Sequence, residues 1–389
     1  MIQRPQLQQL KERLAGPRKF MQVLFGPRQV GKTTLVKQLL ADWQGPSHFA
    51  AADGEAASDV YWLKSQWEIL RVQGEGLLVI DEIQKIPNWS ETVKQLWDED
   101  SWQKRPIKVV LLGSSRMLLQ QGLSESMAGR FETTYMTHWS LSEMEAAFGW
   151  DADTYVYYGG YPGPADLITD ELRWTNYLLS AIVETSVSRD ILMLTRIDKP
   201  SLMKRLFELG CSFSGRELSF TKMMGQLQDA GNTVTLAHYL ELLDKAGLLA
   251  GLQKYAGSAA RKRASSPKFQ VHNNALLSAL QGDSFQQCRA NPAIWGQQVE
   301  SAIGAHLMNE SLRQSYRLYY WRDGDAEVDY VLERGRQLVA IEVKTNHEAS
   351  TAGLAAFSKA HKPHRQLIVG EGGMPWQDFL QLNPAKLFD

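Results

Sequence analysis

Gly26-Pro27-Arg28-Gln29-Val30-Gly31-Lys32-Thr33 decides how the chain reads. It follows the apolar run MQVLF (21–25) and leads into Thr34 and the helically spaced Leu35, Leu39 and Leu40. The eight residues fit GxxxxGK[ST] between a strand and a helix, the context that gives the pattern its meaning. Gly26 and Gly31 let the backbone curl so that its N–H groups point inward at phosphate oxygens. The following helix adds its positive N-terminal end. Lys32 would neutralise the β- and γ-phosphates, and the Thr33 hydroxyl would face Mg²⁺. The stretch 26–34 is therefore expected to bind ATP with Mg²⁺.

Working outward, LLVIDE (77–82) is the companion signal. An apolar strand delivers two carboxylates to its C-terminal end, where open α/β sheets hold ligands. Asp81 is expected to orient the metal and Glu82 to act as general base toward the attacking water. A kinase-like transfer is the other use of such a loop, and the adjacent Asp-Glu pair favours water as acceptor. A third apolar run, 107–112 (IKVVLL), ends in Gly113-Ser114-Ser115. Ser114 or Ser115 at this end could sense the γ-phosphate, and a serine after a strand is equally a plain helix cap. Arg130 is a candidate arginine finger for a neighbouring copy, with a surface arginine as the plain alternative.

The apolar runs, bounded by turns and separated by helices, read as buried parallel strands of an α/β domain. The stretch between the first two leaves room for further elements, so another strand can sit between them. From about Trp150 helical patterns dominate to about Leu249. The expected domains are 1–150 (the P-loop sheet), 151–290 (a helical middle) and 291–389 (a second α/β part).

In the middle part, 201–209, 218–227 and 234–243 read as helices, with Thr233 or Thr235 as a cap of the last. A strand follows, then the basic loop 257–268 (GSAARKRASSPK). Helices, a turn, a helix and a basic hairpin describe a winged helix-turn-helix. Arg261, Lys262, Arg263 and Lys268 are then candidates for DNA phosphate contacts, and a solvated loop is the plain alternative.

In the last part, 317–321, 327–332 and 337–343 read as strands. Residues i and i+2 of a strand share a face, so Glu342 and Lys344 point the same way. Asp329 lies on the preceding strand, across a turn at Arg334-Gly335, and Glu300 sits in an upstream helix. Carboxylates so gathered can hold Mg²⁺ while a lysine steadies a phosphate, the chemistry of phosphodiester cleavage. A salt-bridged pair of solvated strands would look similar.

Composition sets outer bounds. The 389 residues are 44% hydrophobic and 22% charged, with a formal charge of −1, which leaves a local basic patch open. Two cysteines, Cys211 and Cys288, make neither a disulfide framework nor a metal box, so a reducing cytoplasm is expected. No apolar stretch suits a signal peptide or a membrane span.

Together these motifs resemble bacterial and archaeal AAA-type P-loop ATPases. The marks are GPRQVGKTT (26–34), VIDEIQKIP (79–87), LLGSS (111–115), AGR (128–130), LSEME (141–145), GGYP (159–162), SRDI (188–191), EVDY (327–330) and IEVK (341–344). The resemblance covers nearly the whole chain. It implies an AAA+/ASCE-like ATPase core, a winged helix, and a C-terminal domain similar to the PD-(D/E)xK restriction-endonuclease fold. It also implies that Arg130 or Arg189 contacts ATP, in a dimer or ring. Two departures stand out: Val328 replaces the proline before Asp329, and Asn273 stands where the family has an acidic residue. The expected purpose is DNA remodelling or repair on duplex or branched DNA. The alternative is a nucleotide-gated switch that binds a protein and keeps the nuclease-like fold as a scaffold.

Overall fold

The computed structural model describes residues 2–54, 59–114, 127–191, 197–227, 231–256, 265–313, 316–345 and 352–389. The chain packs as two compact units, Met1–Met136 and Thr137–Asp389.

The first unit is built on a five-stranded parallel sheet of order β2-β3-β4-β1-β5. The strands are β1 (Met21–Phe25), β2 (Ser47–Ala51), β3 (Gly76–Asp81), β4 (Ile107–Gly113) and β5 (Phe131–Tyr135). β4 lies between β1 and β3, in the place the sequence left for another strand. Helices α1 (Pro5–Ala15), α2 (Lys32–Asp42), α3 (Val60–Gln73) and α4 (Trp89–Trp102) cover the sheet. Alternate side chains of each central strand go to opposite faces. Leu78, Ile80, Val109 and Leu111 pack with Trp67 of α3 and Trp97 of α4. Leu77, Val79, Val110 and Leu112 pack with Leu10 of α1 and Leu35 and Leu39 of α2. Burial on both faces explains why these strands read as unbroken apolar runs. Beside this core, the fully buried Asp100 accepts from Trp67 Nε1 at 2.7 Å and from Arg71 Nε at 2.8 Å, and pairs with Arg105 at 3.2 Å. This network ties α3 to α4.

The second unit starts with α5 (Leu141–Phe148), which has a capping box of Ser140 and Glu143. Gln381, near the C-terminus, donates to Glu145 of this helix at 3.2 Å. The packing therefore changes at Met136, although the sequence texture changes near Trp150. Next come α6 (Ala152–Tyr158) and α7 (Glu171–Tyr177), then a π-helical stretch over Leu178–Glu184 and Ser186–Ile191. Helices α8 (Pro200–Ser212), α9 (Phe220–Gln226) and α10 (Thr233–Lys245) precede the antiparallel pair β6 (Leu249–Leu252) and β7 (Lys268–Val271). Asn232, rather than Thr233 or Thr235, caps α10, accepting from the Thr235 amide at 2.8 Å.

Helices α11 (Asn274–Gln281), α12 (Phe285–Ala290) and the long α13 (Pro292–Arg313) lead into a four-stranded sheet of order β11-β10-β9-β8. Its strands are β8 (Arg317–Asp323), β9 (Ala326–Arg334), β10 (Gln337–Lys344) and β11 (Arg365–Gly370). The first three are antiparallel neighbours. β11 joins β10 in parallel through α14 (Ala352–His361). Phe357 of α14 packs with Trp321, Val328, Val331 and Ala340. Among the described residues no helix is long and apolar enough to cross a membrane.

Candidate functional site

Register places the nucleotide-site residues together. Phe25 pairs with Gly113, Ile80 with Leu111, and Ala51 with Asp81. The loop after β1, the carboxylates at the end of β3 and Ser114 after β4 therefore emerge on one edge of the sheet. That edge is the carboxyl end of the strands, where open α/β sheets take their ligands.

The loop is tightly determined. A Cβ on Gly26 would lie 2.1 Å from the carbonyl oxygen of Met136, so no side chain fits there. Gly31 holds φ 89°, a conformation that costs glycine least, and Lys32 opens α2 directly after it. Val30 is fully buried, and its carbonyl accepts from Arg4 at 3.2 Å. Pro27 is buried, Arg28 and Gln29 are half-buried, and Thr34 is exposed. Lys32 is buried, and its ammonium donates to the carbonyls of Gly26 at 2.9 Å and Pro27 at 2.7 Å. A lysine curled onto its own loop is poised to exchange those carbonyls for phosphate oxygens.

The Thr33 hydroxyl donates to Asp81 Oδ2 at 2.8 Å. A hydroxyl and a carboxylate at this spacing, beside backbone amides and a lysine, form the all-oxygen donor set that suits Mg²⁺ with its waters. The residues present fit both ATP and Mg²⁺.

Glu82 takes a left-handed backbone, φ 53°, which turns it away from the strand line. The other oxygen of Asp81, Oδ1, accepts from the Glu82 amide at 2.9 Å and fixes this turn. Gln84 Nε2 then donates to the Glu82 carboxylate and, at 3.2 Å, to the Ser114 hydroxyl. Gln84 thus links the expected base to the expected sensor, a connection the sequence reading missed. Its signal was its place two residues after Asp-Glu, and its meaning appears only when β4 brings Ser114 alongside. Ser114 itself is buried, at 5% exposure, and Ser115 lies outside the described residues.

Arg130 pairs with Asp98 of its own chain through two hydrogen bonds, 2.8 and 3.0 Å, and also donates to the carbonyl of Ala128. Reaching a neighbouring copy's nucleotide would require breaking this pair. The side chain of Arg189 lies outside the described residues.

The second unit brings its expected set together differently. Asp329 lies on β9, Glu342 and Lys344 on β10, and Glu300 on α13. Asp329 Oδ2 accepts the Val343 amide at 2.8 Å, which ties β9 to β10 beyond their ladder. Lys344 is buried. Burial, with Asp329 adding to it and Lys344 opposing, raises the Glu342 carboxyl to about 7. Its Oε2 is buried without a hydrogen-bond partner.

Lys268 is a correction to the sequence reading. It lies on the return strand as expected, but it is fully buried and contacts no solvent. Its ammonium pairs with Glu300 at 2.8 Å, Asp329 at 3.2 Å and Glu327 at 3.9 Å. Burial pulls its pKa down, yet Glu300 and Asp329 outweigh that and hold it well above the ordinary lysine value. A lysine enclosed by carboxylates cannot bind a DNA phosphate. The remaining candidates for such contacts, Arg261, Lys262 and Arg263, lie outside the described residues.

Comparison with known proteins bears on the parts. Residues 18–145 match the family described as "AAA domain". The first unit carries an AAA-type P-loop ATPase domain. Residues 149–287 and 295–386 match two families, each described as a domain of unknown function (DUF8612 and DUF4143). The uncharacterized protein MJ1544 of Methanocaldococcus jannaschii is 21% identical over 367 residues, spanning 88% of this chain and 79% of that one. The Walker-type ATPase paby2304 of Pyrococcus abyssi is 13% identical, with TM-score 0.46, over 72% of this chain and 96% of that one. The Orc1 protein of Aeropyrum pernix, solved in complex with DNA, is 15% identical, with TM-score 0.32, over 75% and 95%.

Proposed function

We propose that the AAA domain hydrolyses ATP at the edge formed by Gly26–Thr34, Asp81, Glu82 and Ser114, and that turnover drives the action of the second unit on DNA. One observation carries the ATP reading: the register of β1, β3 and β4 delivers lysine, hydroxyl, two carboxylates and serine to one place. Lys32 turns from its own loop carbonyls to the phosphates. Thr33 and Asp81 would hold Mg²⁺, which supplies charge neutralisation for the leaving phosphates. Glu82 accepts the proton of the attacking water, and Gln84 holds the Glu82 carboxylate in place. Ser114 reads the γ-phosphate and passes that contact to Gln84.

The DNA reading is supported by α8, α9 and α10 followed by the β6–β7 hairpin, an order that suits a winged helix, and by the basic run Arg261–Arg263 in its loop. Duplex and branched DNA are the expected ligands. ATPase rates with and without linear and branched DNA test it, together with gel shifts over a salt series. Binding that weakens steeply with salt and raises turnover supports the reading. Turnover and mobility untouched by every DNA form remove it.

A second reading has its own support. The acidic set of the C-terminal sheet is neutralised by Lys268, which suits a scaffold better than a cutting site. In this reading the chain is a nucleotide-gated switch acting on a protein partner. ATPase activity altered by that partner and indifferent to DNA is its mark. Arrangement as a dimer or ring would follow if Arg130 exchanged Asp98 for a neighbour's nucleotide.

A further inference from the structure

We infer that Lys268 is the resident cation of the C-terminal acidic centre: its ammonium takes the place of a divalent metal among Glu300, Asp329 and Glu327. The inference does not depend on the ATP reading, because every residue in it belongs to the second unit.

The donor count supports it. An ammonium has three N–H donors. The Lys268 ammonium has Glu300 Oε1 at 2.8 Å, Asp329 Oδ1 at 3.2 Å and the Asp329 carbonyl at 3.4 Å as acceptors. The face of Tyr330 lies beside it, 4.9 Å from the ring centre, a favourable position for a cation. Both oxygens of Asp329 are committed, Oδ1 to Lys268 and Oδ2 to the Val343 amide. A metal taking Asp329 as ligand would share its oxygen with the Lys268 ammonium or the Val343 amide, and the ammonium's charge opposes a second cation there. Among the described residues no group of three or more acidic, histidine or cysteine side chains is placed to hold a metal ion. The residues therefore do not fit the Mg²⁺ expected from the sequence.

The lysine is also fixed from outside. Its strand is clamped on the far side by the segment before α9: the Leu218 amide donates to the Pro267 carbonyl at 3.2 Å, and the Phe269 amide to the Arg216 carbonyl at 2.9 Å. Gln270, two residues along, donates to the Ser301 carbonyl of α13 at 2.8 Å and accepts from Tyr330 at 3.1 Å. Gly304 lets this happen, since a Cβ there would lie 1.9 Å from Gln270 Oε1. β7 is thus seated against α13 and β9, and Lys268 cannot withdraw without unseating it. Buried carboxylates at this spacing cannot all ionise without a cation among them. The chain supplies that cation itself, so the centre works as a metal-free ionic lock between β7 and the four-stranded sheet.

Mn²⁺ binding to the full chain without nucleotide, followed by electron paramagnetic resonance, tests this. Wild type, Asp329→Asn and Glu342→Gln should take up equal Mn²⁺, because none loses a site. Lys268→Met should gain about one Mn²⁺ per chain, and adding Asp329→Asn should remove it. A Mn²⁺ held by wild type and lost in Asp329→Asn or Glu342→Gln would overturn the inference, as would a folded Lys268→Met that gains none. If Lys268→Met does not fold, the comparison of wild type with Glu342→Gln, whose carboxyl is half-buried on the strand face, decides it.

Discussion

Replacing Gln84 with alanine should slow ATP turnover without weakening ATP binding. Gln84 donates to Glu82 and to Ser114. Its removal leaves the Glu82 carboxylate free to swing, and leaves Ser114 without its link to the base. A hydrogen bond to a charged group is worth about 1.5–3 kcal/mol, and half-burial of this pair argues for the lower end, about 1.5 kcal/mol. At about 1.4 kcal/mol per factor of ten, kcat should fall roughly tenfold. KM for ATP should stay near wild type. Gln84→Glu should be worse, because a second carboxylate beside Glu82 repels it and draws its proton. The assay is steady-state phosphate release over a range of ATP, with binding followed separately by a fluorescent nucleotide. An unchanged or raised kcat in Gln84→Ala would refute the positioning role. So would a loss confined to KM.

Three further outcomes follow from the same geometry. Lys32→Ala should lose most ATP affinity, because no other buried cation of the described loop replaces the ammonium at the phosphates; calorimetric titration with ATP reads this. Asp100→Ala should destabilise the AAA domain by about 1.5–3 kcal/mol, since it removes the shared acceptor of Trp67, Arg71 and Arg105 while Arg71 keeps Glu68, Glu99 and the Leu96 carbonyl; thermal or urea unfolding measures it, and a shift under 1 kcal/mol would contradict the network's role. The Glu342 carboxyl is raised to about 7, so between its ordinary value of 4.5 and 7 the folded state holds a proton that the unfolded state has lost. Stability of the second unit should therefore fall as pH rises across that window, and Glu342→Gln should lessen the slope in urea titrations at each pH, the buried Glu300, also raised to about 7, keeping its own share.

Much of the AAA domain was legible because its chemistry is local. The loop 26–33 and the pair Asp81-Glu82 lie at the ends of runs that two-sided burial makes uniformly apolar. The strand order was less legible: that β4 would separate β1 from β3 depends on sheet pairing, and the sequence showed only that room existed. Lys268 was misread for a physical reason. It follows the run Arg261–Arg263 in sequence, and a lysine near a basic loop looks solvated. Its partner Asp329 lies 61 residues away, and only the seating of β7 on α13 brings the two together. Asn273 is a similar case. Its side-chain oxygen accepts the Gly160 amide at 3.0 Å, while its nitrogen meets His138 Nδ1 at 3.1 Å. An aspartate could not donate to that ring, so the departure from the acidic pattern has a structural purpose. The packing boundary at Met136 was also hidden, because α5 has an ordinary helical texture, and its ties to the second unit, through Phe148 beside Trp150 and Glu145 beside Gln381, appear only in the fold.

In the proposed reaction one sheet edge holds ATP and Glu82 faces the attacking water. Measuring ATP affinity and ATP hydrolysis side by side for wild type and Glu82→Gln tests it most directly. Glu82→Gln should bind nucleotide near the wild-type value with turnover reduced by at least about a hundredfold, the scale of general-base catalysis. Wild-type turnover in Glu82→Gln, or no nucleotide bound by the unaltered chain, would contradict it.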